Sequence, residues 1–151
     1  MATEGILALR PTPVDGGSGM KRVLFRRWRT NARVDETRFE TGDITVHIVP
    51  ASRPFMVAVA GRATVDSSPY LRSVLLGLLR RGPDPVVVID LSALSYLDMS
   101  GIATLLEALK AARESSVKLR LTGMSGQART LAEIAQLDTI FRAWGSEVEF
   151  H

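Results

Sequence analysis

From Ile44 onward, hydrophobic and polar positions fall into two alternating textures. Ile44, Val46 and Ile48 alternate with Thr45, His47 and Val49, which predicts a strand with one buried face, ended by the Pro50 to Pro54 stretch. Phe55 to Ala60 is a continuous apolar run stopped by Gly61 and predicts a second, more fully buried strand. Leu71, Val74, Leu75, Leu78 and Leu79 then recur at i, i+3, i+4, i+7 and i+8, a single helical stripe from Pro69 to about Arg81. Ser68 before Pro69 reads as its N-cap, and Arg80 and Arg81 suit the negative end of the helix dipole. Gly82-Pro83-Asp84-Pro85 closes that helix. Val86 to Ile89, four β-branched residues, predicts a central strand covered on both faces. A second helix follows from Gly101 to about Glu114, with Ile102, Leu105, Leu106 and Leu109 as its apolar stripe and Ser100 as its N-cap. Val117, Leu119 and Leu121 alternate with Lys118, Arg120 and Thr122 as a fourth strand. Ser125 caps a third helix carrying Ala128, Leu131, Ile134 and Ala135, and Glu147 to Phe150 forms a short closing strand.

Strands exchanged with helices imply one α/β domain, with a mostly parallel or mixed sheet of four to five strands and helices packed on it. The loops at the strand C-terminal ends are the default place for function. The 151 residues suit one such domain, residues 42–151, behind a tail. Residues 1–41 read as a flexible basic extension. Within it, Pro11 to Gly19 has the turn-former density of a linker, and Met20 to Arg33 carries Lys21, Arg22, Arg26, Arg27, Arg29 and Arg33 without an acid, interleaved with Val23, Leu24, Phe25 and Trp28. Such a segment suits either a solvated tail or a contact with anionic lipid or nucleic-acid phosphate. The Gly-Gly-Ser-Gly ahead of Met20 resembles a cloning scar or sequence upstream of a start codon, so the nativeness of residues 1–19 stays open.

Charge sharpens this division. The net charge is +3, and residues 1–41 hold 8 basic and 5 acidic side chains, leaving 11 of each sign in the rest. The part expected to fold is therefore neutral, and the high pI is no sign of direct nucleic-acid binding.

Zero cysteines exclude disulfides, thiolate metal sites and cysteine nucleophiles, and two histidines, His47 and His151, argue against a histidine metal site. No cofactor is expected. No apolar run approaches the ~20 residues of a membrane span, and the segment after Lys21 is too broken for a secretory signal. A cytoplasmic protein is the expectation.

The segment Asp90 to Gly101, Asp-Leu-Ser-Ala-Leu-Ser-Tyr-Leu-Asp-Met-Ser-Gly, joins the central strand to the second helix. Ser100 there faces a helix N-terminus, where unsatisfied N–H groups and the positive dipole end favour an anion, so a phosphate on its hydroxyl would be held by the backbone from Gly101 on. Gly101 would remove a crowding Cβ, and Asp98 would orient the hydroxyl or repel an added phosphate. The plainer reading is that Ser100 caps, Asp98 turns the chain and Gly101 relieves crowding. Asp66, Ser67, Ser68 and Ser125 read mainly as caps, with Asp66 and Ser67 also placed to flank a partner surface. Tyr96 and Met99 are either part of that surface or buried, and Trp144 reads as a core or C-terminal packing anchor rather than a ligand platform.

Catalysis is not expected. Ser100 has no base within sequence reach, Gly123-Met124-Ser125-Gly126-Gln127 is not a Gly-x-Ser-x-Gly elbow, and no phosphate-binding glycine loop is present. A phosphoacceptor receiver domain, suggested by Asp90 at a strand end, would also need an acidic pair after the first strand and a late lysine, and both are missing.

The string Val86 to Leu105, with Gly61-Arg-Ala-Thr-Val-Asp66 before it and Val117-Lys-Leu-Arg-Leu-Thr-Gly123 after it, resembles the STAS domain family of anti-sigma factor antagonists and related domains of sulfate transporters. The resemblance runs from about Ile44 to Phe150. It implies that Ser100, directly before the glycine of an Asp-Ser-Ser-Gly-like motif, is a phosphoacceptor; Asp98 matches the motif's aspartate, and Met99 replaces its middle serine. The implied function is anti-sigma factor antagonism by partner switching. Unphosphorylated protein would bind an anti-sigma factor with serine kinase activity, phosphorylation of Ser100 would release it, and a PP2C-like phosphatase would reset it. The implied partner surface comprises Asp98, Met99, Ser100, Gly101, Tyr96, Asp66 and Ser67. The alternative is a constitutive STAS scaffold or an accessory subunit of a membrane transport system.

Overall fold

The computed structural model describes residues 37–40, 43–49 and 52–150. Their strands are β1 (Thr37–Glu40), β2 (Ile44–Val49), β3 (Phe55–Ala63), β4 (Val86–Leu97), β5 (Lys118–Met124) and β6 (Glu147–Phe150). Their helices are α1 (Ser68–Arg80), α2 (Met99–Glu114), α3 (Gly126–Ile134) and α4 (Leu137–Ala143). The strands lie side by side in chain order in one sheet. β1, β2 and β3 pair antiparallel, and β3, β4, β5 and β6 pair parallel through the intervening helices. The sheet is thus mixed: β2 to β6 are the five expected strands, and β1 adds a sixth at the edge. Among the described residues the sheet starts at Thr37, ahead of the boundary expected near residue 42, because Thr37–Glu40 pairs with Thr45–Ile48. The expectations for residues 1–36, including the basic segment, lie outside the described residues.

Register explains the core. Ile48, Val57, Ile89 and Leu121 stand in one cross-strand row, and Phe55, Val87 and Leu119 in the next, and all are buried on one face. Leu71, Val74, Leu75, Leu78 and Leu79 of α1 and Ile102, Leu105 and Leu109 of α2 join them in one continuous core. On the opposite face, Met56 and Arg120 flank buried Val88, and Ala58 and Thr122 are half-buried. Val87, Val88 and Ile89 are all buried between β3 and β5, as a central strand requires.

Elements beyond β1 depart from the expectations as well. The segment after Asp90 is strand rather than loop as far as Leu97. Its pairing with β3 shifts register at Ala58/Ala60 and Gly61/Arg62, so buried Leu91, Leu94 and Leu97 recur every third residue and conceal the two-residue strand period. The expected third helix is two: Gln136 adopts the left-handed conformation at φ 57°, and α4 restarts with buried Leu137 and Phe141. Ile134, expected on the apolar stripe, is consequently exposed at the end of α3. Of the two places expected for Trp144, the core is not the one: it is 40% exposed, with the Arg113 guanidinium 4.7 Å from its ring centroid.

Candidate functional site

The Ser100 site lies where β4 hands over to α2. α2 begins at Met99, two residues earlier than expected, and its N-cap is Asp98, not Ser100. The reason is geometric: Asp98 has extended backbone and places Oδ1 to accept from the Ser100 N–H at 2.8 Å and the Gly101 N–H at 3.1 Å. Its Oδ2 accepts from the Val65 N–H at 3.1 Å, and its own N–H donates to the Ala63 carbonyl at 3.1 Å. One carboxylate therefore joins the start of α2 to the turn between β3 and α1.

Ser100 follows inside the first turn. Its carbonyl accepts from Thr104 Oγ1 at 3.0 Å, but among the described residues nothing hydrogen-bonds its Oγ. The expected capping role is thus taken over by Asp98, and the half-buried hydroxyl is left with no task in the fold. The expected phosphate cradle changes too, because the Gly101 N–H is already held by Asp98. For Gly101 the structure supplies the plainer of the two expected reasons, relief of crowding within the fold. A Cβ on it would run into Leu97 Cδ1 and stand 3.1 Å from both the Cβ and the carbonyl oxygen of Ala63. The glycine lets the first turn of α2 sit against the end of β3.

The surface around this hydroxyl is apolar on both sides of Asp98: Met99 is 59% exposed and Val65 65% exposed. Asp66 is exposed beside Val65. Tyr96 is half-buried, its ring 4.5 Å from the Arg62 guanidinium carbon. Ser67 is not part of this surface. It is 2% exposed, and its Oγ donates to the Arg62 carbonyl at 2.7 Å and accepts from the Thr64 N–H at 3.0 Å. Those bonds also explain why α1 starts at Ser68, with Ser67 in the N-cap position but no side-chain cap bond. Ser125 holds the same position before α3, again without a side-chain cap bond.

Two participants were missed by sequence reasoning. Val65 lies in the quoted Gly61–Asp66 segment, and that segment's match to a known motif was the available signal. Gln127, in the first turn of α3, accepts from the Leu97 N–H at 2.9 Å and donates to the Leu97 carbonyl at 2.7 Å, and nothing in the sequence marks it. Among the described residues, no three or more His, Asp or Glu side chains gather as metal ligands, and no helix is long and apolar enough to cross a membrane.

A mixed sheet whose parallel strands are joined by helices, with the Ser100 turn at the end of its longest strand, defines a small α/β domain. A family model described as Mlab, STAS domain matches residues 47–142, and the chain belongs to the STAS domain family. An anti-sigma factor antagonist from Mycobacterium paratuberculosis superposes with a TM-score of 0.57 at 22% identity, covering 65% of this chain and 82% of that one. The anti-sigma factor antagonist SpoIIAA, in its unphosphorylated form, gives 0.50 at 15% identity over 68% of this chain and 86% of its own. At these identities the likeness is one of fold.

Proposed function

We propose that the protein is an anti-sigma factor antagonist that works in the cytoplasm by partner switching, with Ser100 as the switch. The observation that carries this reading is the idle Ser100 hydroxyl: Asp98 does the capping, so a serine beside a cap is present without a structural role. Exposed Met99 and Val65 flank it and supply apolar contact area for a partner, with Asp66 and Tyr96 at the margin. The fold shared with known antagonists supports the same reading.

The partner is an anti-sigma factor with serine kinase activity. In the transfer, a bond forms between Ser100 Oγ and the γ-phosphorus of ATP, the bond to ADP breaks, and the hydroxyl proton passes to the kinase. The product carries about −1.5 to −2 charges in the middle of the contact. Asp98 lies beside the new group and adds like-charge repulsion. Moving a complex from 99:1 to 1:99 takes about 5.5 kcal/mol, which burial of such a charge against a partner without matching cations supplies. A PP2C-like phosphatase returns the serine to its binding form.

Capture from the source organism's lysate, with wild type beside Ser100→Ala and Ser100→Asp, tests the reading. An ATP-binding anti-sigma kinase should be recovered on wild type and Ser100→Ala and lost on Ser100→Asp. Equal recovery on all three, or recovery of transport-system subunits in its place, would overturn it in favour of a constitutive scaffold.

A further inference from the structure

We propose that Gln127 is a positioning residue for the Ser100 turn and that it couples α3 to that turn. Its functional weight rests on Ser100 being the switch; its geometry stands on Leu97. β4 loses its β5 partner after Asp90, whose register mate is Thr122, yet it continues against β3 as far as Leu97. In a parallel pair, successive residues direct their N–H and C=O to opposite sides. Ala63 is the register mate of Leu97 and accepts from the Asp98 N–H, so the polar groups of Leu97 itself face away from β3, toward the side that β5 has left.

Gln127 stands in for the missing strand. Its Oε1 accepts from the Leu97 N–H at 2.9 Å, and its Nε2 donates to the Leu97 carbonyl at 2.7 Å. A carboxamide offers an acceptor and a donor side by side, as a peptide group does; a carboxylate lacks the donor and a leucine lacks both. The next residue after Leu97 is Asp98, whose carboxylate fixes the N–H groups of Ser100 and Gly101. A continuous path therefore runs from α3 through Gln127, Leu97 and Asp98 to Ser100. α3 is thereby tied to the turn that bears the hydroxyl through a single side chain.

The test compares the full chain with its Gln127→Glu and Gln127→Leu variants by amide hydrogen exchange, read residue by residue by NMR. The expected result is exchange at Ser100 and Gly101, as well as Leu97, faster by ~10-fold or more, with a displaced Ser100 Cβ resonance and unchanged exchange at Ile89 and Leu121 in the core. Acceleration confined to Leu97, acceleration spread evenly over the core, or no acceleration would each overturn the proposal. Gln127→Glu matches the native side chain in size and decides the matter if Gln127→Leu does not fold. No partner or kinase enters the experiment, so its failure remains distinct from failure of the switch reading.

Discussion

The starts of α1 and α2 are spelled in similar letters, Asp66-Ser67-Ser68-Pro69 and Asp98-Met99-Ser100-Gly101, and they use those letters in opposite ways. Before α1, the aspartate is exposed and Ser67 is buried, its hydroxyl tying the turn to Arg62 and Thr64. Before α2, the aspartate takes up the orphan N–H groups and the serine hydroxyl is idle. The difference is one of register: in α2 the aspartate falls on the N-cap, and in α1 it falls one residue ahead of it. A serine near a helix start is thus a structural element or an idle hydroxyl according to which neighbour reaches the N–H groups first.

The fourth residues of the two strings should show the largest contrast. Gly101→Ala drives a Cβ into Leu97 and Ala63, so it should destabilise by about 1–3 kcal/mol even after the ~1 kcal/mol that alanine gains over glycine in a helix. Pro69→Ala, at an exposed position, should stay within about 0.5 kcal/mol. Urea denaturation of both variants checks this, and equal losses would erase the distinction.

The serines come next. Ser67→Ala strands the Thr64 N–H and the Arg62 carbonyl in a partly buried turn and should lose about 1–3 kcal/mol. Ser100→Ala removes a hydroxyl that holds nothing and should stay within about 0.5 kcal/mol. A Ser100→Ala loss as large as that of Ser67→Ala would show that the hydroxyl has a structural role after all. The aspartates should follow in the reverse sense: Asp98→Ala forfeits the cap and should lose about 0.5–2 kcal/mol, with Asp66→Ala near zero. Thermal melts suffice to rank them.

Much of this contrast could not be read from the chain. The strands were legible where burial kept a two-residue period, as in Ile44, Val46 and Ile48, and the α1 stripe from Leu71 to Leu79 was correct at each position. The continuation of β4 to Leu97 was not legible, because register shifts against β3 turned its buried positions into a three-residue period. Neither was the break at Gln136, where no glycine or proline marks a left-handed residue. At the site, the motif pointed to Ser100, Asp98 and Gly101, but their roles depended on which residue capped α2. Two candidates, Ser100 and Asp98, lie within two residues of each other, and propensity alone ranks serine and aspartate equally as caps. The choice fell to Asp98 because its second oxygen also satisfies Val65, a residue on another turn that no local pattern could bring into view.

That bridge to Val65 leads to the smallest expected effect on stability and the most informative one for binding. Val65 and Met99 stand on either side of the Asp98 carboxylate with their side chains largely in solvent, so Val65→Ala and Met99→Ala should each change stability by no more than about 0.5 kcal/mol. If this is the surface that a partner covers, each substitution should weaken binding by about 1 kcal/mol or more, roughly five-fold in affinity, because an apolar side chain idle in the free protein is desolvated only in the complex. Calorimetric titration against the partner recovered by lysate capture reads the effect directly. Exposed Ile134→Ala, on α3 away from the Asp98 bridge, is the control: a loss there equal to that at Met99 would mean that the partner grips α3 itself, and the contact would have to be redrawn around both helices.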